Sequence, residues 1–269
     1  MEGLGRMSTT ALVTGSRGFA AGWLSRALLE SGHQVIGLDR PPVGSRVSSL
    51  ALLGIEDQVQ ELQVDLCDFD GVKSALLQHE PDLVFHLAAQ TQVGEANVSP
   101  LPTFEVNVAG TWNLLESVRL LDSEIPTVVA SSDKAYGEQE DLPYRESAPL
   151  LASYPYDASK AAADLIARSY WATYGMPIAV TRFANIYGGG DLNFARLIPE
   201  TIGAVLSGRP PVLRSDGSPA GEIDRQYLDS AKIAEVCGWQ AEVELRDGLE
   251  LTYSWYSDHP EAVARESVD

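Results

Sequence analysis

Three short stretches of the chain combine residue types that can do chemistry. In Tyr156-Asp-Ala-Ser-Lys160 a separation of four puts the phenol and the amine on one helix face. A tyrosine hydroxyl ordinarily titrates near pH ~10, too high for a base at neutral pH, and a cation one turn away favours the phenolate. Such a group can take the proton of a substrate hydroxyl. Tyr154 has no lysine four positions on and lacks this option. In Ser131-Ser132-Asp133-Lys134 a hydroxyl, a carboxyl and an amine follow one another, although Ser and Asp are also ordinary turn formers. In Thr14-Gly15-Ser16-Arg17-Gly18-Phe19 the glycines allow a sharp turn and close approach to a pyrophosphate. A ligand-free strand–helix turn would use the same glycines. Asp39 ends the next apolar run, where an acid suits ribose hydroxyls and favours NAD, while Arg40 beside it keeps NADP open.

The surrounding pattern supplies elements to hold these groups. Ala11–Thr14, Gln34–Leu38, Val59–Val64, Asp82–Leu87, Pro126–Ser131 and Pro177–Thr181 read as six strands. Between them, Phe19–Ser31, Asp70–His79, Thr103–Leu121 and Tyr156–Tyr174 read as helices. Trp23, Leu24, Ala27 and Leu28 fall at helical spacing in the first helix, and Gly32 stops it. Strands alternating with helices imply an α/β fold with a doubly wound parallel sheet, because parallel crossovers are right-handed. Ligands of such sheets bind at the carboxyl ends of the strands, where all three stretches fall. The segment from Gly137 to Pro155 is too long for a tight connection and reads as a lid or a substrate loop.

Composition bounds the function. The chain has 269 residues, 45% hydrophobic and 21% charged, an ordinary globular balance. Its 19 Lys and Arg against 38 Asp and Glu give a net charge of −19, which disfavours nucleic-acid binding without forbidding a local nucleotide pocket. No run of about 18 apolar residues is present, so no membrane helix is expected, and the N-terminus does not read as a secretory signal. Cys67 and Cys237 lack metal-ligand spacing, so no metal site is expected. A soluble cytoplasmic enzyme or binding protein fits these observations.

The motifs resemble the extended short-chain dehydrogenase/reductase family, whose glycine turn TGxxGFxGxxL is matched by Thr14, Gly15, Gly18, Phe19 and Leu24, with Ala21 for the third glycine. Asp65-Leu66 resembles the family's adenine-side segment, His86-Leu87-Ala88-Ala89-Gln90 its HLAA segment beside the cofactor, and Asn107–Thr111 its NVxGT helix. The resemblance implies a Rossmann domain over residues 1–182, and a substrate-binding C-terminal region over 183–269 interleaved with it. It implies NAD held by Gly15, Arg17, Gly18, Phe19, Asp39, Arg40, Asp65, Leu66, Leu87, Ala88, Ala89, Tyr156 and Lys160. Tyr156 would then take a sugar hydroxyl proton as hydride leaves for nicotinamide, and Lys160 would hold the nicotinamide ribose.

Within the family, Ser132-Asp133-Lys134 resembles the sugar-nucleotide 4,6-dehydratases, nearest the CDP-glucose type. There Ser132 would bond the C4 oxygen, Asp133 would protonate the departing C6 hydroxyl and Lys134 would handle the C5 proton. Gln90, Asn185, Asn193, Arg196, Leu197 and Arg214 would line a nucleoside-diphosphate hexose, Asn185 and Arg214 toward the phosphates. A 4-epimerase or 4-ketoreductase on the same fold is the alternative. Family members commonly dimerise through two helices per subunit, here Thr103–Leu121 and Tyr156–Tyr174, so a homodimer is expected. The resemblance breaks after Ala220, where Gly221 onward is similar to a much later family segment. The substrate domain therefore reads as shortened near 220–221, and a nucleotide-binding protein that has lost catalysis is a further reading.

Overall fold

The computed structural model describes residues 9–41, 47–212, 223 and 225–263. The chain divides into two compact units, Met1–Gly137 with Leu150–Phe183, and Glu138–Pro149 with Ala184–Asp269.

The first unit is built on six strands: β1 (Thr10–Thr14), β2 (Gln34–Asp39), β3 (Val59–Gln63), β4 (Leu83–His86), β5 (Thr127–Ser132) and β6 (Ile178–Phe183). All pairings are parallel, in the order β3-β2-β1-β4-β5-β6. This is the doubly wound Rossmann-like arrangement, with its switch of direction between β1 and β4. The helices are α1 (Phe19–Glu30), α2 (Ser49–Leu52), α3 (Phe69–His79), α4 (Val93–Val98), α5 (Pro100–Phe104), α6 (Gly110–Leu121) and α7 (Pro155–Tyr174). Successive side chains of a strand point to opposite faces, so β1 feeds two cores. Leu12 packs with Ile36, Leu76, Val84 and Leu114 on one side, and Ala11 and Val13 pack with Ala21, Leu28 and Leu50 on the other.

The structure adds detail on two helices. On α1 the buried residues are Ala21, Gly22, Ser25 and Leu28, whereas Trp23 is exposed under the Arg26 guanidinium. Small residues face the neighbouring layer because it comes close: a Cβ on Gly22 would stand 2.6 Å from Ser49 Cβ. The helix expected over Thr103–Leu121 begins earlier, at Pro100, and passes through one π-helical turn, Glu105–Ala109, between α5 and α6.

The second unit holds α8 (Leu197–Leu206), α9 (Ala231–Cys237), α10 (Leu245–Asp258) and α11 (Pro260–Val263), with a small core of Ile202, Tyr256, Ala262 and Val263. Glu138–Pro149 belongs to this unit. Tyr144 in it is buried, donates its N–H to the Tyr227 carbonyl and accepts from the Asp229 N–H, both at 2.9 Å. Arg145 pairs with Asp229 at 3.1 Å. The long connection is thus strapped by backbone pairing rather than left as a free loop. The break near 220–221 lies outside the described residues.

Candidate active site

The glycine turn leaves β1 with Gly15 at φ +68°, where it donates to the Leu38 carbonyl at 2.8 Å. A Cβ there would stand 2.7 Å from Ala88 Cα, so the turn and the β4 exit can approach only with glycine. α1 follows with no side-chain cap on its N-terminus and no acid in its first turn. Its leading N–H groups and dipole are therefore available to an anion. At the end of β2 the Asp39 carboxylate accepts from the Arg17 N–H at 3.1 Å and the Arg40 N–H at 2.8 Å. Burial raises its pKa, and these hydrogen bonds and cations oppose the rise. The Arg17 guanidinium meets Glu61 at 2.8 Å. An open helix terminus, a close backbone cradle and an acid beyond β2 fit a dinucleotide. After β3, Asp65 caps the Cys67 N–H at 2.8 Å, while the Leu66 side chain packs into the core and its carbonyl accepts from Asn113.

His86 ends β4 fully enclosed. Thr111 donates to the Asn107 carbonyl at 2.6 Å, so its oxygen accepts from His86 Nε2–H at 3.0 Å. His86 Nδ1 then accepts from the Thr14 hydroxyl at 2.8 Å, and Thr14 Oγ1 takes the Leu87 and Ala88 N–H groups. Burial, helped by the Lys160 charge, pushes the imidazole pKa down to about 3. His86 is a neutral clasp for the Leu87–Ala89 segment. Asn107, in the π-helical turn, holds the next residue: it exchanges bonds with Gln90 N–H and C=O at 2.7 and 3.0 Å, and donates to Ser159 at 2.9 Å. π-turns favour such functional positions. Gln90 itself donates to Glu95 at 2.9 Å.

Ser132 closes β5, and Asp133, Lys134 and Tyr136 form a 3-10 turn behind it. The Ser132 hydroxyl donates to Asp133 at 3.0 Å and accepts the Lys134 N–H at 3.2 Å. The turn is clamped from behind. Arg182 on β6 grips Asp164 of α7 through two hydrogen bonds, at 2.7 and 3.2 Å, and donates to the Tyr136 hydroxyl at 2.8 Å. α7 packs against this turn and carries Tyr156 and Lys160, both buried. The Lys160 ammonium donates to the Ala130 carbonyl at 2.6 Å, and Ser131 donates to the Lys160 carbonyl at 3.1 Å. Burial lowers the Lys160 pKa to about 8. The first unit therefore brings Ser132, Asp133, Lys134, Tyr156 and Lys160 to adjoining elements at the carboxyl end of the sheet.

The remaining expected residues belong to the second unit. Asn185 is exposed, Asn193 accepts from the Ala195 N–H at 3.1 Å, Arg196 pairs with Asp191 at 3.1 Å, and Leu197 opens α8 on the surface. Arg214 lies outside the described residues. Among the described residues no group of three His, Cys, Asp or Glu could hold a metal ion, and no helix is long and apolar enough to cross a membrane. Sequence reading did not single out Asn107, Arg182 or Asp164 as site-building residues. The motif around Asn107 was visible, but only the contacts reveal the work of each of the three.

The family model of the NAD dependent epimerase/dehydratase family matches residues 11–242, and the chain belongs to that family. It is 32% identical over 252 residues to a CDP-glucose 4,6-dehydratase of Salmonella typhimurium, a match covering 84% of this chain and 69% of that protein. It is 33% identical over 219 residues to a dTDP-glucose 4,6-dehydratase of Neisseria meningitidis, covering 77% of this chain and 61% of that protein. Among solved structures, a dTDP-glucose 4,6-dehydratase from Streptomyces venezuelae with NAD bound superposes with a TM-score of 0.84 at 25% identity, covering 94% of this chain and 98% of that one. A UDP-glucose 4-epimerase from Thermotoga maritima gives 0.85 at 21% identity, covering 93% and 99%, a likeness of fold.

Proposed function

We propose that the protein dehydrates a nucleoside-diphosphate hexose to its 4-keto-6-deoxy form, using NAD as a cofactor that is regenerated in each turnover. The observation that carries this reading is the Ser132-Asp133-Lys134 turn on the element next to Tyr156 and Lys160. Simple inversion at C4 needs only the phenol and a hydroxyl. Removing water needs a further acid and a proton acceptor, and this turn supplies both. Relatives sharing about a third of the sequence are named as 4,6-dehydratases of CDP- and dTDP-glucose, which supports the reaction class and leaves the base open.

The β1–α1 turn with Gly15 and Gly18 would hold the pyrophosphate, Asp39 the adenosine ribose, Asp65 and Leu66 the adenine, and Leu87, Ala88 and Ala89 the nicotinamide side. NAD held there would supply the hydride exchange, from C4 to the nicotinamide and back to C6. Tyr156 takes the O4 proton, with Ser132 bonding that oxygen and the Lys160 charge favouring the phenolate. The resulting ketone acidifies C5–H. Lys134 removes that proton, Asp133 protonates the leaving O6, and water departs. Lys134 then returns its proton to C5.

Incubating the purified protein with a panel of nucleoside-diphosphate hexoses and weighing the products tests the reading. Loss of one water from one substrate names reaction and base together. Inversion at C4 without mass change would instead favour the epimerase, and tight NAD binding with no product a protein that has lost catalysis.

A further inference from the structure

Inside the Tyr156–Lys160 motif lies Asp157, a carboxyl that the reaction outlined above does not use. It lies in the first turn of α7 and is 1% exposed. Apart from the pull of its own backbone N–H, neither carboxyl oxygen has a hydrogen-bond partner among the described residues. Buried carboxylates serving structure are paired, as Asp164 is with Arg182 here, because an unpaired buried charge costs several kcal/mol, roughly. The groups whose fields reach Asp157 are Lys134 and Asp133 of the adjoining turn. Of the titratable groups on the other elements packed on α7, Glu95 is engaged with Gln90, Glu116 with Arg119 and Tyr170, and Arg182 with Asp164, while the charge of Glu105 acts on Cys67. Asp133 is itself 3% exposed.

Two enclosed carboxyls whose fields reach one another resist ionising together. The reaction creates a need for that proton. Over one turnover Tyr156 gains the O4 proton, Lys134 takes and returns the C5 proton, and Asp133 loses one to the departing water. Each cycle therefore leaves Asp133 one proton short and Tyr156 one proton rich, and Asp133 must start the next elimination protonated. We propose that Asp157 and Asp133 form a carboxyl pair holding one proton, and that Asp157 is the positioning residue that keeps Asp133 in its acid form; this rests on the dehydratase reading. The second carboxyl raises the proton affinity of the first. Burial and the Asp133 charge push the Asp157 pKa up to about 6, against the pull of Lys134, in keeping with a shared proton near neutrality.

The pair is tested first without turnover, by carbon NMR of protein labelled at aspartate carboxyls. One resonance, identified by its loss in Asp157→Asn, should titrate near pH ~6, and its midpoint should fall by about one unit in Asp133→Asn, where the repelling charge is gone. An unchanged midpoint in Asp133→Asn overturns the proposal. Single turnover with the nucleoside-diphosphate hexose found active then reads the role. Asp157→Asn should keep the rate of NADH appearance, slow water loss at pH ~8 by about tenfold and move its basic limb to lower pH, with Asp157→Glu restoring both. Wild-type water loss with an unmoved profile in Asp157→Asn also overturns it. Should the native protein dehydrate no sugar nucleotide, the dehydratase reading falls, and the NMR midpoint still decides for or against the pair.

Discussion

Lys160 and Ala130 are joined by a 2.6 Å hydrogen bond from the buried ammonium to the strand carbonyl, which fixes α7 against β5. The bond spends one of the three ammonium protons and leaves two for other acceptors. It also encloses a charge that water would otherwise stabilise, and that burial has consequences for pH.

With its pKa lowered to about 8, Lys160 is charged at neutral pH and loses its charge in mildly alkaline solution. C4 oxidation, followed as NADH appearance, should fall above pH ~8 with unit slope. Lys160→Arg should carry the plateau to higher pH. Stability should move oppositely. The folded pKa lies below the unfolded value of 10.5, so the cost of burying the charge is present below pH 8 and relieved as pH rises from 8 to 10.5. Denaturant titrations across that window should show the native protein gaining stability relative to Lys160→Met. A flat difference would contradict the assignment.

Tyr156 and Asp133 should divide the reaction. Tyr156→Phe should abolish both NADH appearance and product. Asp133→Asn should leave C4 oxidation and slow water loss by about 10²–10⁴, so that a 4-keto intermediate accumulates in single turnover. Full-rate dehydration by Asp133→Asn would remove the turn from the mechanism.

The Asp39 carboxylate is turned to two backbone N–H groups, and in the proposed binding mode its negative charge would oppose a 2′-phosphate. Binding titrations should show NAD preferred over NADP in the native protein, with the preference narrowed in Asp39→Ala. Equal affinity of the native protein for both cofactors would count against the role. Because Glu61 holds Arg17, relief of repulsion alone should not give strong NADP binding.

His86 should make the fold acid-sensitive. Its folded pKa of about 3 lies below its ordinary 6.5, so the unfolded chain takes up the proton first. The contribution is complete above pH 6.5 and is lost as pH falls toward 3, about 5 kcal/mol in all and about 2 kcal/mol by pH ~5. The slope of unfolding free energy between pH ~7 and ~5 should be shallower in His86→Gln than in the native protein. Equal slopes would mean that the ring is not held neutral.

The expected dimer has a candidate surface on the helices that the sequence pointed to. Leu101, Phe104 and Trp112 on one side, and Leu165, Trp171 and Tyr174 on α7, are exposed. Sedimentation at micromolar concentration should give twice the chain mass, and Trp112→Glu with Leu165→Glu should give the monomer. A native monomer would refute the expectation.

The strands were legible because each is a short apolar run closed by a turn residue, and their alternation with helices leaves one sheet class and one crossover hand. Val59–Val64 was read one residue beyond the observed strand and Pro177–Thr181 two residues short, since pairing partners rather than propensity end a strand. The Tyr156–Lys160 and Ser132–Lys134 groups were legible because their spacing is local, four apart on a helix and consecutive on a turn. What the chain could not announce is non-local. Nothing in the spacing of Trp23 says that α1 turns its small residues inward; the close approach of Ser49 decides that. The neutral state of His86 depends on Thr14 and Thr111, and the set of the Ser132–Tyr136 turn on Arg182 and Asp164. Burial without a partner, as at Asp157, is a property of the assembled neighbourhood. A carboxyl group's chemistry is set by the water removed from it and the charges brought to it, and both are fixed only when the helix docks on the turn.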